Sequence, residues 1–111
     1  MNQGYLALKK NSAYKEVYRR GKSDGNSWFT VFFSINCEGK TRAGISISKK
    51  VGKAHERNYI KRRMRVILRD KFFLLPEGFD FVFIIKPKAK GLSFSELSGN
   101  FEKLVEKLKK K

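Results

Sequence analysis

The sequence predicts an α+β fold: a two-layer α-β sandwich, with helices packed on a small mixed sheet in the order α-β-β-α-β-α. Three observations carry that prediction. The chain has 111 residues and 41% hydrophobic residues, enough for one domain with a modest core. Its apolar residues switch between a period of two and a helical period along the chain. No internal repeat or low-complexity linker divides it, so residues 1–111 are read as a single domain.

The first helix is expected from a cap at Asn11 or Ser12 to Arg20, with Gly21 as its stop. Tyr14, Val17 and Tyr18 share one face at i, i+3 and i+4. "KSDGNS" then reads as a turn. "WFTVFFSINC", Trp28 to Cys37, alternates as a strand. Val31, Phe33, Ile35 and Cys37 form its core face, and Trp28, Thr30, Phe32, Ser34 and Asn36 its mixed face. Glu38-Gly39-Lys40 suggests a hairpin turn into "TRAGISIS", Thr41 to Ser48. There Ala43, Ile45 and Ile47 oppose Arg42, Gly44, Ser46 and Ser48. Strands with one apolar and one half-polar face suit a sheet covered on one side by helices.

A long helix is expected from Ala54 to about Phe73, with Ile60, Met64, Ile67 and Leu68 as its buried stripe. "FDFVFIIKP", from Phe79, is an aromatic and β-branched strand stopped by Pro87. Ser93 and Glu96 make a capping box. The helix behind it is expected to bury Phe94, Leu97, Phe101, Leu104, Val105 and Leu108.

Charge narrows the function. Lys and Arg number 26 against 10 Asp and Glu, a net charge of +16. Such an excess repels itself in a compact chain, and a polyanion relieves the repulsion. Ten basic residues lie between Lys49 and Lys71: Lys49, Lys50, Lys53, Arg57, Lys61, Arg62, Arg63, Arg65, Arg69 and Lys71. Only Glu56 and Asp70 oppose them there, too few for a lattice of i,i+4 ion pairs. At ~100° per residue, Asn58, Lys61, Arg62, Arg65 and Arg69 fall in one arc away from the buried stripe. Arg offers forked donors matched to phosphate oxygens, Lys a mobile point charge, and Asn58 a neutral donor and acceptor. The loop "SKKVGK" ahead of the helix adds Lys49, Lys50 and Lys53 beside backbone amides, an expected phosphate seat. Its glycine spacing is not that of a nucleotide-binding P-loop.

Enzymatic machinery is not visible in the chain. His55 stands beside Glu56 without a Cys or Ser partner in a recognisable motif, and is expected to face solvent or cap the helix. Cys37, the only cysteine, is expected to be a small strand residue, and one Cys with one His makes a poor metal site. No apolar run approaches the ~18 residues of a membrane span, and "MNQGYLALKK" lacks a signal-peptide pattern, so a cytoplasmic protein is expected.

The segment "SISKKVGKAHERNYIKRRMR" resembles the protein subunit of bacterial ribonuclease P. The resemblance extends to "LKKNSAYKEVYRRGKS", to the strand ending "IIKPKA" and to the helix opening "LSFSEL", nearly the whole chain. One departure is Tyr59, where the family usually has the second Arg of Arg-Asn-Arg. The resemblance implies a ribosomal protein S5 domain 2-like fold with a left-handed βαβ crossover through the basic helix. It also implies an RNA-binding subunit that assists a catalytic RNA in removing the 5′ leader of precursor tRNA. Magnesium would be held mainly by the RNA, with no organic cofactor, no membrane and no obligatory protein partner. Lys49, Lys50, Lys53, Arg57, Asn58, Lys61, Arg62, Arg65 and Arg69 are then expected to bind the catalytic RNA. Tyr14, Tyr18 and Phe32 are expected to bind the leader, because aromatic planes beside polar groups suit an unpaired strand. The alternative is a ribosomal or other structural RNA-binding protein with no part in cleavage. A DNA-binding protein with its helix in the major groove is a further reading.

Overall fold

The computed structural model describes residues 7–36 and 38–109. Three helices, α1 (Asn11–Arg20), α2 (Ala54–Lys71) and α3 (Phe94–Lys109), surround one sheet. Its strands are β1 (Lys22–Gly25), β2 (Phe29–Ile35), β3 (Arg42–Ile47) and β4 (Phe79–Ile85), in the spatial order β1-β2-β4-β3. β1 and β4 run antiparallel to β2, and β3 runs parallel to β4. The chain passes from β3 to β4 through α2, the helical crossover that a parallel pair requires.

β1 replaces the expected turn at "KSDGNS". Its register, Lys22 opposite Phe33 and Gly25 opposite Thr30, makes it an edge strand held by backbone bonds rather than by apolar side chains. The expected hairpin at Glu38-Gly39-Lys40 is also replaced, because β4 inserts between β2 and β3. The Asn36 side chain organises that connection by donating to the Lys40 carbonyl at 2.6 Å and to Asp80 at 2.9 Å. The part of the strand expectation that concerns Cys37 lies outside the described residues.

The two sheet faces are packed differently. Phe29, Val31, Phe81, Phe83, Ile85 and Ala43 point to α2 and α3 and form the main core with Met64, Ile67, Leu68, Phe101 and Leu104. Phe83 lies 4.8 Å from Phe101, centroid to centroid, and joins strand to helix. Lys71 pairs with Glu102 at 2.6 Å and links α2 to α3 at the surface. Among the described residues the opposite face carries a small cluster of Leu8, Val17 and Val82, with Tyr14, Phe32 and Ile84 packed against it. This face is covered by α1, so helices lie on both sides of the sheet rather than on one.

Four side chains depart from their expected burial. Ile35 ends β2 and is 73% exposed, at the rim of a cavity it shares with Leu108 and Lys109 of α3. Phe33 is half-buried, because it lines a cavity of about 990 Å3 between the start of β1, the end of β2 and the end of α3. Trp28 precedes β2 and packs against the main core, not beside Phe32. Phe94 opens α3 and is exposed.

The helix ends follow local chemistry. Ser93 and Glu96 form both halves of the expected capping box: Ser93 N–H donates to Glu96 at 2.9 Å, and Glu96 N–H to the Ser93 hydroxyl at 3.2 Å. At α1 the N-cap is Lys10, which makes no side-chain cap, so neither Asn11 nor Ser12 plays that part. The end of α2 tightens into a 3-10 turn over Phe72–Leu74. Among the described residues no helix is long and apolar enough to cross a membrane.

Candidate nucleic-acid interface

The basic stretch forms a continuous surface because α2 is anchored on one side only. Ile60, Met64, Ile67 and Leu68 are buried, as their spacing predicts. On the other side His55, Asn58, Lys61, Arg62 and Arg65 line a shallow depression of about 380 Å3. No carboxylate is among its lining residues, so nothing there neutralises the cations. Arg69 continues the exposed side one turn further. His55 is the member that sequence reasoning left aside; its helical position beside Asn58 and Arg62 was the available signal.

The loop ahead of α2 departs from expectation. Lys49 and Lys50 lie exposed in a 3-10 turn, Lys49–Val51, capped by the Ser48 hydroxyl, which accepts from Lys50 N–H at 3.1 Å. Where a phosphate was expected, the protein supplies its own anion. The Glu56 carboxylate accepts the Lys53 N–H at 2.9 Å and pairs with Lys90 at 2.9 Å. These bonds, the Lys53 amide first and Lys90 second, hold the Glu56 pKa below the ordinary carboxylate value. A Cβ at position 52 would come within 2.6 Å of the carboxylate, so glycine leaves room for it. Arg57 is drawn into the same turn by donating to the Gly52 carbonyl at 3.2 Å. It therefore lies apart from the residues lining the depression. The side chains of Lys49, Lys50 and Lys53 remain exposed around the turn.

The three expected leader contacts converge on the α1 side of the sheet. Strand register sets Phe32, Val82 and Gly44 in one row across β2, β4 and β3. Above this row α1 places Tyr18, Val17 and Tyr14. Tyr18 meets Phe32 edge to face, with centroids 5.1 Å apart. Val17 packs with Val82. The Tyr14 hydroxyl occupies the space beside Gly44, where a Cβ would come within 2.1 Å of it. The next row, Thr30, Ile84 and Ser46, is half-buried and offers two hydroxyl groups beside the aromatic cluster.

On the other side of the aromatic row, Arg42 holds Asp80 through two bonds of 2.9 and 3.0 Å. The hydrogen bond to Asp80, opposed by desolvation and supported by nearby carboxylate charge, raises the Arg42 pKa further above its ordinary value. This pair closes the row Ser34, Asp80 and Arg42.

The chain as a whole is similar to known proteins in sequence and in fold. The ribonuclease P family profile matches residues 4–109. The ribonuclease P protein component of Phytoplasma australiense is 43% identical over 109 residues, covering 97% of this chain and 94% of that protein. That of Clostridium kluyveri is 35% identical over 102 residues, covering 90% and 91%. The structure of the Staphylococcus aureus RNase P protein superposes with a TM-score of 0.85 at 30% identity, covering 94% of this chain and 95% of that one. The Thermotoga maritima RNase P protein gives 0.83 at 30% identity, covering 91% and 96%. The chain belongs to the ribonuclease P protein family, as the protein component of a tRNA-processing endoribonuclease whose chemistry lies in its RNA.

Proposed function

We propose that α2 and the turn before it hold the catalytic RNA, and that the α1 side of the sheet receives the 5′ leader of precursor tRNA. The observation that carries this reading is the depression lined by Asn58, Lys61, Arg62, Arg65 and His55 without a carboxylate. Lys49, Lys50, Lys53, Arg57 and Arg69 extend the same field along the helix and its leading turn. Tyr14, Tyr18 and Phe32 gather separately, so one protein can touch catalyst and substrate at once.

The contribution to cleavage is electrostatic and positional. Cations set between RNA phosphates reduce the repulsion that otherwise needs magnesium. The magnesium ions of the reaction stay mainly with the RNA, and the site of action is the cytoplasm. Base stacking on Tyr18 and Phe32 adds affinity for a leader without demanding its sequence.

The test is precursor tRNA cleavage by the cognate ribonuclease P RNA at low magnesium, with and without this protein. Cleavage restored by the protein supports the reading. Unchanged cleavage, despite tight RNA binding, favours a structural RNA-binding protein. Arg62→Ala and Arg65→Ala should each weaken binding to the catalytic RNA and reduce the slope of log affinity against log salt by about 1.

A further inference from the structure

Beside the basic face, a second kind of surface looks toward the start of α3. Tyr59 and Arg63 are one helical turn apart and share this flank. The Arg63 guanidinium lies over the Tyr59 ring, 4.3 Å from its centroid, and donates a hydrogen bond to the Tyr59 hydroxyl. It also stands 6.0 Å from the centroid of Phe94. The rings are not core residues: Tyr59 is 50% exposed and Phe94 38%. Among the described residues no carboxylate forms an ion pair with Arg63.

Two exposed rings holding one uncompensated cation are a poor device for stability. The rings leave apolar surface in water, and the charge adds to a chain already at +16. The same arrangement is well suited to a nucleotide. An aromatic face stacks on a base of any sequence, and a planar guanidinium offers its N–H edges to the neighbouring phosphate. Because Arg63 already rests on Tyr59, little side-chain freedom remains to be lost on binding. The flank adjoins Asn58 and Arg62 of the basic face, so an RNA lying there reaches it without a second docking event.

We propose that Tyr59, Arg63 and Phe94 form a stacking site for one unpaired nucleotide of the RNA bound by α2, with the base against the rings and its phosphate on Arg63. The inference rests on α2 being the RNA face. It adds base contact to an interface otherwise made by charge.

Tyr59→Leu, Tyr59→Phe and Phe94→Leu test it, with Arg62→Ala as a charge control and Phe73→Ala as an exposed aromatic away from the site. Affinity is measured for the cognate ribonuclease P RNA across a salt series, and for heparin, a polyanion without bases. Tyr59→Leu should weaken RNA binding about 5- to 100-fold, with its salt slope and heparin affinity unchanged. Phe94→Leu should show a smaller loss of the same kind. Tyr59→Phe, which keeps the ring, should stay within about 2-fold of the parent protein, as should Phe73→Ala. Parent-like RNA affinity in Tyr59→Leu and Phe94→Leu, beside a loss in Arg62→Ala, overturns the stacking site and leaves the basic face standing. An equal loss on heparin, or a salt slope lowered by about 1 in Tyr59→Leu, overturns it in favour of phosphate contact alone. No loss in Arg62→Ala overturns the assignment of α2 beneath it.

Discussion

Phe32 and Phe33 are consecutive residues of β2, yet they serve different halves of the molecule. Phe33 points toward α3 and packs at the margin of a cluster that includes Phe81, Phe83 and Phe101. Phe32 points the other way, against Tyr18 and a cluster whose buried members among the described residues are Leu8, Val17 and Val82. One side of the sheet is thick with apolar contact, and the other is thin, aromatic and edged by hydroxyl groups. The contrast teaches that stability and recognition are separable here: the face that holds the fold together leaves its opposite free to present side chains.

The sharpest way to break that contrast is to remove a ring from each side. Phe83→Ala should cost about 3–5 kcal/mol of stability, because a fully buried ring leaves a cavity between sheet and α3. Denaturant melts measure it, and a loss below about 1 kcal/mol would show the main core to be redundant. Phe32→Ala should stay folded and assemble with the RNA. It should weaken precursor tRNA binding by about 1–3 kcal/mol and leave mature tRNA, which has no leader, untouched. Equal loss on both tRNAs, or a melt as damaged as that of Phe83→Ala, would make Phe32 a packing residue.

Smaller changes sharpen the contrast. Gly44→Ala pushes a methyl group into the Tyr14 hydroxyl, and the ring must swing off the sheet. The expected cost is about 1 kcal/mol of stability, together with weaker precursor tRNA binding. A parent-like melt and affinity would mean that Tyr14 is free to sit elsewhere. Glu56→Gln should have the smallest effect, and its sign depends on pH. The Glu56 pKa is lower in the folded chain, so its contribution is present above the ordinary carboxylate pKa of about 4.3 and disappears as pH falls through the lower folded value. Melts of the two proteins should therefore differ at neutral pH and converge in acid. A constant difference would exclude a titrating cap.

Much of this architecture is legible from periodicity. The α2 stripe and the Ser93-Glu96 box are strong local signals, and both hold in the structure. β1 is not legible, since Lys22, Ser23, Asp24 and Gly25 have no apolar alternation; the strand pairs with β2 and is pinned from α3 by Lys107, which pairs with Asp24 and donates to the Gly25 carbonyl. The insertion of β4 between β2 and β3 is equally hidden, because a Gly-containing turn between two strands looks the same whether or not they pair. Site residues are legible by type more than by partner. The basic arc can be placed on a helical wheel, whereas the diversion of Arg57 to Gly52 and of Glu56 to Lys53 and Lys90 depends on how the preceding turn folds back. Phe94 fits the apolar spacing of α3, but at the first position of the helix that face has already passed the edge of the core.

The position of β4 has a consequence for the order in which the molecule can form. β4 is the last strand in the sequence and pairs with β3 along its length, while also bonding β2; among the described residues β3 otherwise has a single bridge, from Ala7 to Ala43. During synthesis, β1 and β2 can close a local hairpin, but β3 has no strand to join until Phe79–Ile85 has left the ribosome. Until then α2 has no completed sheet to bury its stripe, and its cations emerge on a chain that is still open. Sheet closure is thus a late, long-range event, slower than the local pairing before it. A nascent chain halted before residue 79 should carry the charge of the finished protein's basic helix without its fold.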